Sequence, residues 1–345
     1  MRNFAAMTLR TGLLGYGIAG RVFHAPLIEA TPGLELSAIV TRDAERRAHA
    51  RAAHPEARLL DSAADLFASG LDLVVIATPN STHVRFALEA IDAGVPVVVD
   101  KPFAATADGA QRVLKAAESS GVPLTVFQNR RWDSDFRTVR ALLEEGALGD
   151  VARFESRFER WMPDVWDNWR EFGAPEEAGG VLYDLGAHLV DQAVELFGPV
   201  ARVYAEVDLR RPGVEVDDDV FVALTHRSGV RSHLWCSSTA AQHGPRFRVL
   251  GSRSAYVSEG LDGQEEALAA GRSPEGLRNP GALGVLGETE VVPGEPGAYS
   301  NFYAQLVTAL TEGGPLPVGP ESAVRVLEII EAAFESARTG EVVAV

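Results

Sequence analysis

The stretch Leu13-Leu14-Gly15-Tyr16-Gly17-Ile18-Ala19-Gly20 constrains the fold more than any other part of the chain. An apolar run enters a G-x-G-x-x-G pattern, and apolar residues at helical spacing follow through Val22, Leu27 and Ile28. A strand, tight turn and helix joined in this way form a cradle for dinucleotide phosphates. Gly15 permits the turn, Gly17 lets the backbone approach a pyrophosphate, and Gly20 lets the helix pack on the strand. The helix N-terminus faces the phosphate charge. So short a pattern arises by chance in a chain with 33 glycines, so its surroundings must support it.

They do. Apolar runs at Leu36–Val40, Leu73–Ile76, Val95–Val99 and Leu124–Phe127 alternate with helical stretches at Ala44–Ala53, Thr82–Ala93 and Ala107–Ser119. Strand and helix in alternation, with uniformly apolar strands, predict a doubly wound parallel sheet: an α/β Rossmann domain over residues 7–128. Residues 129–345 read differently. Strand-like runs at Val151–Arg160, Val200–Leu209, Val220–His226, Arg231–Ser237, Arg246–Leu250 and Ala255–Val257 are mostly joined by turns. They predict an α+β domain built on a large, mainly antiparallel open sheet, with a long loop over Gly271–Gly297. Two helices close the chain, the last with Ala323, Val326, Leu327, Ile330, Phe334 and Ala337 as a core-facing stripe.

Composition narrows the partners. A net charge of −16 without a basic block argues against nucleic acid and anionic membrane surfaces. The single Cys236 excludes an internal disulfide and fits a reducing, cytoplasmic compartment. Residues 1–7 lack the long apolar core of a signal peptide, and no apolar run reaches transmembrane length. No metal site is expected. The run Asp217-Asp218-Asp219 reads as an exposed turn before a strand.

In a doubly wound sheet, ligands bind beyond the carboxyl ends of the strands. Those tips read Thr41-Arg42-Asp43, then Thr78-Pro79-Asn80-Ser81-Thr82-His83, then Asp100-Lys101-Pro102. Thr41 and Arg42 favour the 2′-phosphate of NADP, with NAD as the alternative; Asp43 is an acid contact or a helix N-cap. Asn80 or Ser81 could cap the next helix. Further along, a helix from about Gly180 to Phe197 places Asp184 and His188 one turn apart, on a different face from Leu182, Leu185, Leu189, Ala193 and Leu196.

These motifs, with Gly179-Gly180-Val181-Leu182-Tyr183-Asp184-Leu185-Gly186-Ala187-His188, resemble the Gfo/Idh/MocA oxidoreductases over nearly the whole chain. Asp100 stands where that family usually has Glu. Phe23-His24-Ala25-Pro26-Leu27-Ile28 and Gln128-Asn129-Arg130-Arg131-Trp132-Asp133-Ser134-Asp135-Phe136 look like its NADP-dependent scyllo-inositol dehydrogenase branch. The resemblance implies a nicotinamide cofactor held by residues 15–20, Thr41, Arg42, Thr78, Pro79, Asn80, His83, Asp100, Lys101, Asn129 and Arg130. It implies a cis bond before Pro102 that points Lys101 into the crevice. Hydride transfer from a secondary alcohol needs a base and a cation for the developing alkoxide. His188 is assigned as base, Lys101 as cation and Asp184 as the orienting group; the converse, Lys101 as base, stays open. Arg130 and Trp132 would line a polyol pocket with Lys101, Asp184 and His188, and Arg160, Trp169 and Arg170 are weaker candidates. Two other readings are a non-catalytic dinucleotide-binding regulator and a reductase of a different carbonyl. A homodimer or homotetramer through the open sheet is expected.

Overall fold

The computed structural model describes residues 8–165, 171, 173 and 177–345. Trp169 and Arg170 lie outside them. The first six strands are β1 (Leu9–Leu14), β2 (Leu34–Val40), β3 (Arg58–Leu60), β4 (Leu73–Ile76), β5 (Val97–Asp100) and β6 (Leu124–Phe127). They form a six-stranded parallel sheet in the order β3-β2-β1-β4-β5-β6. Every residue of β4 is wholly buried, which is why the strand is an unbroken apolar run. The helices are α1 (Ala25–Ala30), entered through a π-helical turn at Ala19–His24, α2 (Ala44–Ala53), α3 (Ala63–Phe67), α4 (His83–Asp92) and α5 (Ala107–Ser120). Strand order reverses between β1 and β4, so the crevice opens there. Register then aligns the tips. Leu14 is level with Val40 and Ile76, Ile76 with Val99, and Asp100 with Phe127. Gly15, Thr41, Ala77 and Asp100 therefore leave the sheet along one edge.

After α6 (Ser134–Glu144) and β7 (Val151–Glu159), the chain forms α7 (Ala187–Phe197), preceded by a second π-helical turn at Leu182–Gly186. The remaining strands are β8 (Val200–Asp208), β9 (Asp219–His226), β10 (Arg231–Ser237), β11 (Phe247–Gly251), β12 (Ala255–Ser258), β13 (Gly281–Val285), β14 (Glu288–Val292) and β15 (Val343–Ala344). With β7 they form a nine-stranded sheet, β14-β13-β12-β11-β7-β10-β9-β8-β15, antiparallel except where β7 meets β10. Alternation along β9 buries Val220, Val222 and Leu224 against the helices and leaves Phe221 and Ala223 on the outer face.

Two expectations need correction. The segment 271–297 is not one loop: it carries the hairpin β13–β14, whose Val285, Leu286 and Val291 are exposed and so lack the alternation of a half-buried strand. A short helix, α8 (Gln264–Ala269), precedes it. Asp217 and Asp218 are buried, not an exposed turn. Asp218 accepts from the backbone of Arg210 and Arg211 and from the Arg211 guanidinium at 2.8 Å.

The last two helices, α9 (Ser300–Glu312) and α10 (Pro320–Thr339), return to the first sheet. Phe302, Tyr303 and Leu306 of α9 share a core with Leu13, Ile28 and Leu36. α10 belongs to both cores. Ala323, Val324 and Leu327 pack with Leu114 and Val126, while Val326, Ile329, Ile330 and Ala333 pack with Leu189 and Val203 of the second sheet.

Candidate active site

The cradle follows from the glycines. Gly15 has φ +104°, and a Cβ there would sit 2.4 Å from the Ala77 carbonyl oxygen. A Cβ on Gly20 would lie 2.2 Å from the Gly15 carbonyl oxygen, so only glycine lets the π-helical turn close on the loop. Around Gly17 a Cβ would meet nothing within 4 Å, and Ile18 is 60% exposed. Open space over Gly17 beside an uncovered apolar side chain fits a dinucleotide. The side chain of Tyr16 points away from this open space. Its ring turns into the core, with the hydroxyl 2.8 Å from His54 Nε2 and 3.1 Å from His49 Nδ1.

At the β2 tip Thr41 is buried, and the exposed Arg42 donates from Nε to the Asp61 carbonyl at 3.2 Å. Asp43 is the N-cap of α2, accepting from the Arg46 amide at 2.8 Å. Its carboxylate is therefore engaged by its own helix.

At the β4 tip neither Asn80 nor Ser81 caps the helix. Asn80 donates to the Glu177 carbonyl at 2.9 Å and Ser81 to the Glu177 carboxylate at 2.9 Å, so this tip is latched to the other domain. Pro79 is exposed, and Thr78 Oγ1 lies 2.6 Å from Thr82 Oγ1. His83 shapes the site from behind. It is buried, with Nδ1 2.9 Å from the Pro102 carbonyl and Nε2 2.9 Å from the Thr78 carbonyl, so its ring ties two strand tips together instead of facing a ligand.

The Lys101–Pro102 bond is cis. Asp100 accepts from the Lys101 amide at 2.9 Å, with His24 Nε2 3.6 Å away. Burial pushes its carboxyl up, but His24 and Lys101 outweigh burial and hold it below the usual range. Lys101 Nζ donates to the Asp184 carboxylate at 2.9 Å and to the Asp184 carbonyl at 2.8 Å. Asn80, Lys101, Pro102, Gly179, Gly180 and Asp184 line a cleft between the two sheets.

Asp184 and His188 stand on the π-helical turn and the first turn of α7. Sequence gave no sign of what holds that helix end. Gly180 has φ +89°, and the buried Asp217 accepts from the Leu182 amide at 2.7 Å. Burial pushes Asp217 up to about 6. His188 is 5% exposed, and its Nδ1 has no hydrogen-bond partner. Burial and the charges of Lys101, Arg130 and Arg246 pull it well below the ordinary histidine range, against the pull of Asp184. The ring is neutral at physiological pH.

Beneath His188 lies a buried polar layer. Arg130 donates from its two terminal nitrogens to Glu265 at 2.6 Å and to the Tyr299 hydroxyl at 3.2 Å, while its buried Nε has no hydrogen-bond partner. Burial pushes the adjacent Asp133 up to about 8, with Asp135 and Asp262 adding to the effect against Arg130. Asn129 is buried in the same turn. Trp132 is not in the pocket. It is 7% exposed and packs edge-on against Phe302, because its indole completes the core of the first sheet. Asp191, one turn beyond His188, is committed to Arg131 at 2.7 Å. Missing from the sequence-based assignment is Phe158, whose ring faces His188 at 6.4 Å.

Residues 9–128 match the model of an oxidoreductase family with an NAD-binding Rossmann fold, and residues 136–257 match the GFO/IDH/MocA C-terminal domain. The chain is 42% identical over 340 residues to the oxidoreductase YdgJ of Escherichia coli, covering 96% of each. This chain belongs to the Gfo/Idh/MocA oxidoreductase family. Another family member, scyllo-inositol 2-dehydrogenase (NADP(+)) IolW of Bacillus subtilis, is 35% identical over 343 residues, covering 96% of this chain and 94% of IolW. Among solved structures, the oxidoreductase yvaA of Bacillus subtilis superimposes with a TM-score of 0.91 at 33% identity over 99% of each chain. The chain is thus an oxidoreductase with a nicotinamide-dinucleotide Rossmann domain. No helix among its described residues is long and apolar enough to cross a membrane.

Proposed function

We propose that this chain is an NADP-dependent dehydrogenase that interconverts a secondary alcohol and a ketone on a cyclic polyol or sugar. The observation that carries the reading is the Lys101–Asp184 ion pair, set beside a neutral, buried His188 at the edge of the dinucleotide cradle. Bound nicotinamide supplies the hydride acceptor or donor. The His188 imidazole takes the hydroxyl proton; Lys101 Nζ steadies the negative charge that develops on the oxygen. Asp184 fixes the ammonium by two contacts, one to its carboxylate and one to its own carbonyl. Once protonated, His188 gains from the Asp184 charge.

The choice of NADP is supported by Thr41 and Arg42 at the β2 tip, with Asp43 turned to its own helix, and agrees with the cofactor in the name of IolW. A cyclic polyol agrees with that relative as well. The outer face of the second sheet, where Phe221, His233 and Trp235 cluster, supports a homodimer or homotetramer, which light scattering at micromolar concentration would measure. A single buried thiol suits a cytoplasmic setting.

The deciding experiment is a panel of polyols and keto-sugars with NADP and with NAD, followed by the absorbance of reduced nicotinamide. Turnover of a cyclic polyol with NADP is expected. Tight NADP binding with no transfer in either direction would replace this reading with that of a regulator.

A further inference from the structure

Side chains alternate along β7, and Ser156, Phe158 and Arg160 share the face turned toward α7. Ser156 accepts from Arg246 Nη1 at 2.7 Å, and Phe158 lies among Leu182, Leu185 and Leu189. Arg160 is the next residue on that face, at the carboxyl end of the strand, where Phe158 meets the His188 ring. The guanidinium carbons of Arg130, Arg160 and Arg246 stand 4.7, 5.1 and 5.5 Å from the Phe158 ring centre.

In a chain of net charge −16, such a concentration of cations has to be accounted for. Most are neutralised locally. Lys101 pairs with Asp184, Arg130 with Glu265, and Arg246 with the buried Asp135 at 3.3 Å. Arg160 is half-buried and pairs with no carboxylate among the described residues; its guanidinium lies over the Phe158 ring. Desolvating a guanidinium without a counter-charge is unfavourable, and among the described residues Arg160 has none. Glu265 and Asp135 cannot serve Arg160 without abandoning their own buried partners.

We infer that Arg160 binds a carboxylate on the substrate, so that the preferred substrate is a polyol or sugar acid and not a neutral polyol. This rests on the dehydrogenase reading above and refines its substrate. A single uncompensated guanidinium matches a monoanion and offers the planar, two-point geometry that carboxylates accept. A phosphate dianion would leave a charge uncompensated. The ring of Phe158 beneath Arg160 restricts water and strengthens the contact.

D-glucuronate and D-glucose share a ring and differ at one carbon, so they isolate the carboxylate. Calorimetric titration of each onto the protein with NADP present, alongside kcat/KM for each, compares wild type with Arg160→Gln and Arg160→Lys. Wild type should favour glucuronate by ~10–100-fold, the range of one charge-assisted contact. Arg160→Gln should bring the glucuronate-to-glucose ratio close to 1, with the loss in Kd and KM, and Arg160→Lys should restore part of it. Raising the salt should shrink the wild-type ratio. Inositol monophosphate serves as the phosphate arm; tighter binding than glucuronate, lost in Arg160→Gln, would overturn the carboxylate assignment. Turnover of neutral polyols with a ratio that Arg160→Gln leaves unmoved overturns the inference alone. Glucuronate held through Arg160 with no turnover of any polyol upholds it and overturns the dehydrogenase reading.

Discussion

Gly17 and Gly20 lie three residues apart in one motif, yet they should fail in opposite ways. A methyl on Gly17 meets no protein atom within 4 Å, whereas a methyl on Gly20 lands 2.2 Å from the Gly15 carbonyl oxygen. That oxygen belongs to a turn which cannot recede, because Gly15 itself is packed against the Ala77 carbonyl. Gly20→Ala should therefore destabilise the protein by ~1–3 kcal/mol, the range for overpacking a close contact. Gly17→Ala should leave stability unchanged or raise it by up to ~1 kcal/mol, since alanine restricts the unfolded chain. The methyl instead occupies space that a pyrophosphate needs. Displacing one charge-assisted contact is worth ~1.5–3 kcal/mol, so NADP affinity should fall roughly 10- to 100-fold. Urea unfolding without dinucleotide measures the first effect, and calorimetric titration of NADP the second. A Gly17→Ala protein that unfolds early while binding NADP normally would refute the assignment of that open space to the cofactor.

Other predictions address the catalytic groups, the cofactor and pH. Lys101→Met keeps the aliphatic stem but removes the charge; with polyol and NADP, kcat should drop ~10²–10³-fold with little change in NADP affinity. His188→Ala should lower kcat by ~10²–10⁴ on the same assay, and a loss below tenfold would shift the base role to Lys101. Arg42→Ala should weaken NADP by roughly 10- to 100-fold more than NAD, read from paired titrations. Asp217 is raised from 3.8 to about 6, so the stability it adds is complete below the unfolded value and disappears as pH climbs through about 6, ~3 kcal/mol in all. Denaturant midpoints across that window should vary less with pH in Asp217→Asn than in wild type.

The first sheet was legible because parallel strands buried on both faces leave an unbroken apolar signal, as at Val74–Ile76. The motif residues were legible because the phosphate loop and the strand tips need particular side chains at particular offsets. What their side chains do was less so. Tyr16, His83 and Trp132 sit within site motifs, yet all three turn into the interior, since the same short segment has to close a core and present a ligand surface. The burial of Asp217 was not legible for the reverse reason: a run of acids resembles a solvated turn, and only the fold brings it to Leu182, 35 residues away. The hairpin β13–β14 was invisible because neither of its faces is buried deeply enough to impose alternation.

Helix α10 shares its side chains between two interiors, and that makes the halves of this chain poor cassettes. A graft of the dinucleotide half onto another substrate half would cut away Ala323, Val324 and Leu327, three plugs of its own core that arrive only at the far end of the sequence. Recombination within such a lineage should therefore trade loops at the sheet edges and spare the joint between the two sheets. New substrates would then be reached by rewriting strand ends such as Arg160, with the spacing between cradle and cleft inherited unchanged.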